Sequence, residues 1–229
     1  MKKLPLEHNK LQSLDVAIFR SLRNLGYLSL IYNHLQHIEP GTFDTLSNLQ
    51  ELDLNHNRLT SIDRGIFWKL KYVDRLDSNI KTLKPGSLDG MSFLRELYLP
   101  GNKLRTIDGG VFCGNHELRT LSLQRNKLTY VTPEALNCLE ITDLDLSKNH
   151  LQSLLISVST LEKLDLSSNR LGNLSDDAFS NLTNLDALTM DNNYLEAIPK
   201  TVSALPTLVW HSLKNNKINS TSYPPNRWN

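Results

Sequence analysis

One phrase constrains this chain more than any other. LDLNHNRLTSI stands at Leu52–Ile62 and recurs as LSLIYNHLQHI at Leu28–Ile38, LYLPGNKLRTI at Leu97–Ile107 and LSLQRNKLTYV at Leu121–Val131. The shared template is L-x-L-x-x-N-x-L-x-x-I. With its first leucine as a marker, coils begin at Leu4, Leu28, Leu52, Leu76, Leu97, Leu121, Leu144, Leu164, Leu188 and His211. The intervals are 24, 24, 24, 21, 24, 23, 20, 24 and 23 residues. At such a period each unit is one supersecondary element that buries its apolar side only against its neighbours. The expected fold is an α/β solenoid of about ten coils over residues 1–218, followed by a polar tail at 219–229.

Each L-x-L segment predicts a short strand, because alternation puts its leucines on one face. Stacked coils set these strands about 4.8 Å apart as a parallel sheet, on the order of 45 Å long over ten coils. Phe19, Phe43, Phe67, Phe112 and Phe179 recur on the far side, where a large ring fills the core. The asparagines at 9, 33, 57, 102, 126, 149, 169, 193 and 216 stand where the chain leaves the strand and turns inward. A short side chain with both donor and acceptor satisfies backbone groups that lose water there, so these residues read as structural. Three coils depart from the template. The fourth, near 76–83, reads LDSNI as if three residues were missing; the seventh runs almost directly from Leu154 to Leu161; and His211 stands where leucine is expected.

The net charge of +1 argues against broad attraction to nucleic acid or an anionic membrane. No stretch approaches the roughly 18 apolar residues of a membrane span. There is no nucleophile–base pairing, glycine-rich phosphate loop or metal-ligand cluster, so neither an enzyme nor a cofactor is expected. Solenoids need capping units, and neither end shows one, so the expectation is part of a longer protein.

The full line L-x-x-L-x-L-x-x-N-x-L-x-x-I-x-x-x-x-F-x-x-L resembles the 24-residue class of extracellular leucine-rich repeats. That class is found in Toll-like receptor ectodomains, Slit, adhesion receptors and secreted immune proteins of arthropods. EPGTFDTLSNLQELDLNHNRL and DDAFSNLTNLDALTMDNNYL are typical of it, and the resemblance runs from Leu4 to Ile218. It implies a right-handed superhelix, a horseshoe with the parallel sheet on its concave face and a mostly irregular convex side. It also implies a non-catalytic module that binds protein, glycan or lipid on the concave or lateral face. The alternatives are an extracellular-matrix scaffold and an intracellular scaffold. Extracellular localisation rests on the resemblance, since MKKLPLEHNK has no apolar core or cleavage site of a secretory signal.

Residues flanking the strand leucines are expected to point outward on the concave face, Ser29, Ser122, Ser147 and Ser212 among them. The partner-binding candidates are Tyr27, Glu51, Asp53, Arg75, Asp77, Glu96, Tyr98, Asp145, Asp165, Asp191 and Trp210. Acids outnumber bases there, so a protein partner with a basic patch is expected, with tyrosine and tryptophan as anchors. Aspartate in an LDL strand is also common in the resembled class, which leaves a consensus reading beside the functional one. His8, Tyr32 and His56 share one phase and should line up along an edge. Cys113 and Cys138 fall on the convex side of adjacent coils, either as a disulfide or as two thiols. Asn173, Asn181 and Asn219 head glycosylation sequons.

Overall fold

The computed structural model describes residues 2–70 and 80–219. The strand expected at Leu76, with Arg75 and Asp77, lies outside the described residues. Three parallel strands, β1 (Lys2–Pro5), β2 (Leu25–Ser29) and β3 (Glu51–Asp53), form one sheet. A small pair, β4 (Ser61–Ile62) with β5 (Thr82–Leu83), stacks the latter part of the fourth coil directly on the third. A six-stranded parallel sheet follows: β6 (Glu96–Tyr98), β7 (Thr120–Ser122), β8 (Asp143–Asp145), β9 (Lys163–Asp165), β10 (Ala187–Thr189) and β11 (Trp210–Ser212). The template leucines keep register across the stack: Leu28 faces Leu52, and Leu97, Leu121, Leu144, Leu164, Leu188 and His211 align in turn. Helix is confined to single turns, α1 (Pro133–Leu136) and α2 (Lys200–Ser203), among the described residues.

The described template leucines from Leu28 to Leu171 are buried, while Leu4, Leu6 and Leu11 at one end and Leu174 and Leu213 towards the other are partly covered. Beneath the convex side the five phenylalanines are fully buried. Phe19, Phe43 and Phe67 stack with ring centroids 6.0 and 6.4 Å apart. In the short seventh coil Leu154, Ile156, Val158 and Leu161 are all buried, so the direct path between strands keeps the apolar interior continuous.

The asparagines join one coil to the next. Asn126 donates from Nδ2 to the Leu99 carbonyl of the preceding coil (2.8 Å) and to its own coil's Leu123 carbonyl (3.0 Å). Its Oδ1 accepts the Leu104 N–H at 3.1 Å. The same three bonds recur at Asn33, Asn57, Asn149, Asn169, Asn193 and Asn216. Asn9 is exposed and donates only to Leu6 and Glu7 of its own coil.

The residue before the asparagine is left-handed in coil after coil. His8, Tyr32, His56, Arg125, Lys148, Ser168, Asn192 and Asn215 have φ between 53° and 56°, and Gly101 has φ 70°. This corner swings the asparagine side chain inward. It costs an L-residue about 1–2 kcal/mol, which the ladder bonds offset.

The flanking serines correct the expectation that every strand neighbour of the leucines faces solvent: Ser29, Ser122, Ser147 and Ser212 are buried. So short a side chain does not reach past its neighbours on strands about 4.8 Å apart. His211 is half-buried in the leucine row, and burial pushes its imidazole below the ordinary value of 6.5.

Two outcomes follow from these contacts. Asn126→Ala leaves the buried Leu104 N–H without its acceptor, and it should cost about 3 kcal/mol, read as a lower urea midpoint. Asn9→Ala should cost under about 1 kcal/mol. For His211, the unfolded chain takes up a proton that the folded state resists. Stability should therefore fall as pH drops through 6.5, until the folded imidazole also protonates. His211→Leu should flatten that fall in thermal melts between pH 7.5 and 5.5, by less than about 1 kcal/mol because solvent screens the ring.

Candidate functional site

The concave face is built by residues on either side of the buried strand leucines. On the first three strands Tyr27 is half-buried with the Lys3 ammonium 5.3 Å above its ring, Glu51 is exposed and Asp53 is half-buried. On the six-stranded sheet Tyr98, Asp145, Asp165 and Trp210 line one open hollow of about 320 Å³, together with Asp143 and Lys163. Glu96 accepts a hydrogen bond from the Tyr98 hydroxyl at 3.0 Å. Trp210 is 54% exposed on β11.

Most of these aspartates also serve their own turns. Oδ1 of Asp53, Asp145 and Asp165 accepts the backbone N–H two residues on, at Asn55, Ser147 and Ser167, over 2.8–3.0 Å. Asp191 accepts the Ser212 hydroxyl at 2.6 Å and the Lys214 N–H at 2.7 Å, which binds it to the neighbouring coil and not to the hollow. The consensus reading of these acids therefore has a physical cause, an Asx turn where the strand ends. Asp143 and Lys163, which the strand pattern placed outward without singling them out, form an ion pair at 3.2 Å. The hydrogen bond that the Lys163 ammonium donates to Asp143, and then the charge of Asp143, raise the Lys163 pKa above its ordinary value.

Along the lateral edge His8, Tyr32 and His56 stack as a ladder, with ring centroids 4.5 and 4.2 Å apart. Their common left-handed corner sets the alignment. His37 lies 3.2 Å from Glu39 and 3.8 Å from Asp63. Among the described residues no three histidine, cysteine or acidic side chains are grouped to hold a metal ion. No described helix is long and apolar enough to cross a membrane.

On the convex side Cys113 and Cys138 form a disulfide between adjacent coils, with Cα atoms 4.9 Å apart. Closing a 25-residue separation stabilises the fold by about 3 kcal/mol in the chain-entropy account. Asn173, Asn181 and Asn219 are all exposed. Asn181 donates to the Ser157 hydroxyl at 2.8 Å, and beside Asn173 the space around Gly172 is open.

The chain matches the family profile described as leucine rich repeat over residues 1–59, 32–77, 47–104, 94–151 and 159–218. It is 31% identical over 100 residues to MAP kinase phosphatase with leucine-rich repeats protein 3 of Dictyostelium discoideum, covering 42% of this chain and 12% of that protein. In three dimensions it is similar to the Toll–Spatzle complex structure from Drosophila, with TM-score 0.85, 22% identity, and 94% of this chain on 32% of that one. It is similar also to the TLR13–ssRNA13 complex structure, with TM-score 0.83, 24% identity, and 94% of this chain on 33% of that one. The chain thus spans a third or less of each of these relatives, and the solved structures share its fold. Repeated strand, asparagine ladder and matched profile together place the chain in the leucine-rich repeat family.

Proposed function

We propose that this chain is a non-catalytic recognition module of an extracellular protein, and that a basic patch on a protein partner docks along its concave face. The observation that carries the reading is the hollow on the six-stranded sheet. Tyr98 and Trp210 stand on its first and last strands, about 24 Å apart, with Asp145 and Asp165 between them. Aromatic side chains with a polar edge anchor interfaces, and fixed carboxylates between them select cationic side chains and repel phosphate. Of two relatives with this fold, Toll is seen with Spatzle and TLR13 with single-stranded RNA. The acids here favour the protein ligand on this face. The candidates Tyr27, Glu51 and Asp53 extend the same face on the earlier strands, and the candidates Arg75 and Asp77 lie outside the described residues.

The test removes charge without breaking the turns. Asn in place of Asp keeps the Oδ1 acceptor for Ser147 and Ser167, so Glu96→Gln with Asp145→Asn and Asp165→Asn should leave the melting temperature near wild type. A partner captured from the extracellular fraction of the native tissue and identified by mass should bind the triple variant on the order of tenfold more weakly, mostly through slower association. Unchanged affinity would remove the concave acids from the reading.

The extracellular setting is supported by the Cys113–Cys138 bridge and the exposed sequons. The native product should lose mass on deglycosylation and expose two thiols only after reduction. Free thiols and an unglycosylated mass, in the cell lysate alone, would favour the intracellular scaffold.

A further inference from the structure

The residues on either side of the ladder asparagines form two rows along the lateral edge. In successive coils they read GNK at 101–103, RNK at 125–127, KNH at 148–150 and SNR at 168–170. The asparagine is buried each time, and Lys103, Arg125, Lys127, Lys148 and Arg170 are exposed. Backbone bonds hold the rows in register. Lys127 N–H donates to the Leu104 carbonyl, His150 to Leu128 and Arg170 to Leu151, each over 2.8–2.9 Å. Arg125 N–H donates to Ser147 at 3.0 Å and Lys148 N–H to Ser167 at 2.8 Å. Arg105, two residues past Lys103, is exposed on the same edge.

Among the described residues none of these six cations makes an ion pair, and no carboxylate stands in any of the four triplets. Their charge is not neutralised by a described carboxylate. It is repeated at the coil spacing of about 4.8 Å, over roughly 15 Å of edge. An isolated surface lysine signifies nothing, but five cations held in register over two adjacent rows, two in the first and three in the second, form an electrostatic track. It suits a linear polyanion, which gives up condensed counterions when it lies along such a row.

We infer that the lateral edge from Lys103 to Arg170 binds a sulfated polysaccharide chain, independently of any partner on the concave face. Single-stranded nucleic acid is the lesser fit. Its binding sites add rings on which bases stack, and this track has the half-buried His150 within it and two exposed tyrosines at its margins, Tyr130 and Tyr194, the latter with the Lys217 ammonium 4.8 Å over its ring. Sulfate groups need only the cations.

Long-chain heparin is the probe for the whole chain, with affinity measured across salt concentrations. The test variant is Arg125→Asn, Lys127→Gln and Lys148→Asn. Asparagine suits the left-handed corner, as Asn192 and Asn215 occupy it at φ 56°. Wild type should bind at about 0.15 M salt. The triple variant should lose on the order of tenfold or more, with a log–log salt slope shallower by about 2. A control with Arg20→Gln, Arg23→Gln and Lys200→Gln, equal in charge change but away from the track, should bind like wild type, and both variants should melt near wild type. The inference is overturned if wild type fails to bind heparin at that salt, or if the two variants lose affinity equally. It is overturned too if single-stranded RNA of matched charge binds the track more tightly than heparin.

Discussion

Everything in this solenoid depends on one corner. A strand that ends inside a stack of coils turns its next backbone groups away from water, and an unpaired buried amide or carbonyl is costly. The ladder asparagine answers that cost with three bonds, two of which reach the preceding coil. The corner therefore does more than end a strand. It sets the spacing and register of successive coils, and with them the parallel sheet and the alignment of every surface row.

Much of this was legible in the sequence because period and chemistry agree. Leu28, Leu52 and their counterparts named the strands, the recurring asparagine named the buried corner, and Phe19, Phe43 and Phe67 named the stack beneath the convex side. The left-handed residue before the asparagine was not read. Its signal was present, since Gly101, Asn192 and Asn215 favour that conformation, but His8, Arg125 and Lys148 at the same phase obscured it. The buried serines escaped because alternation assigns a face to a side chain without saying whether a short one emerges from it. The turn-closing role of Asp53, Asp145 and Asp165 escaped because a carboxylate that closes a turn reads the same in sequence as one that meets a ligand.

The near-neutral total charge concealed a division between faces. Asp145 and Asp165 lie on the sheet, whereas Arg125, Lys127 and Lys148 lie on the rim beside it, a few residues further along the same coils. Summed charge describes association only when charge is evenly spread. A repeat breaks that condition readily, because one position recurring in coil after coil draws a line across the surface.

The Cys113–Cys138 bridge has a mechanical consequence. In a one-dimensional array each coil is held by its neighbours, so loosening travels as a front from coil to coil. The front advances by breaking the ladder and strand bonds between adjacent coils. At this one boundary a covalent bond holds the two coils together even when those bonds are gone. The array behaves as two arms fixed to a common post: each can breathe by itself, and a front from one side stalls before it reaches the other.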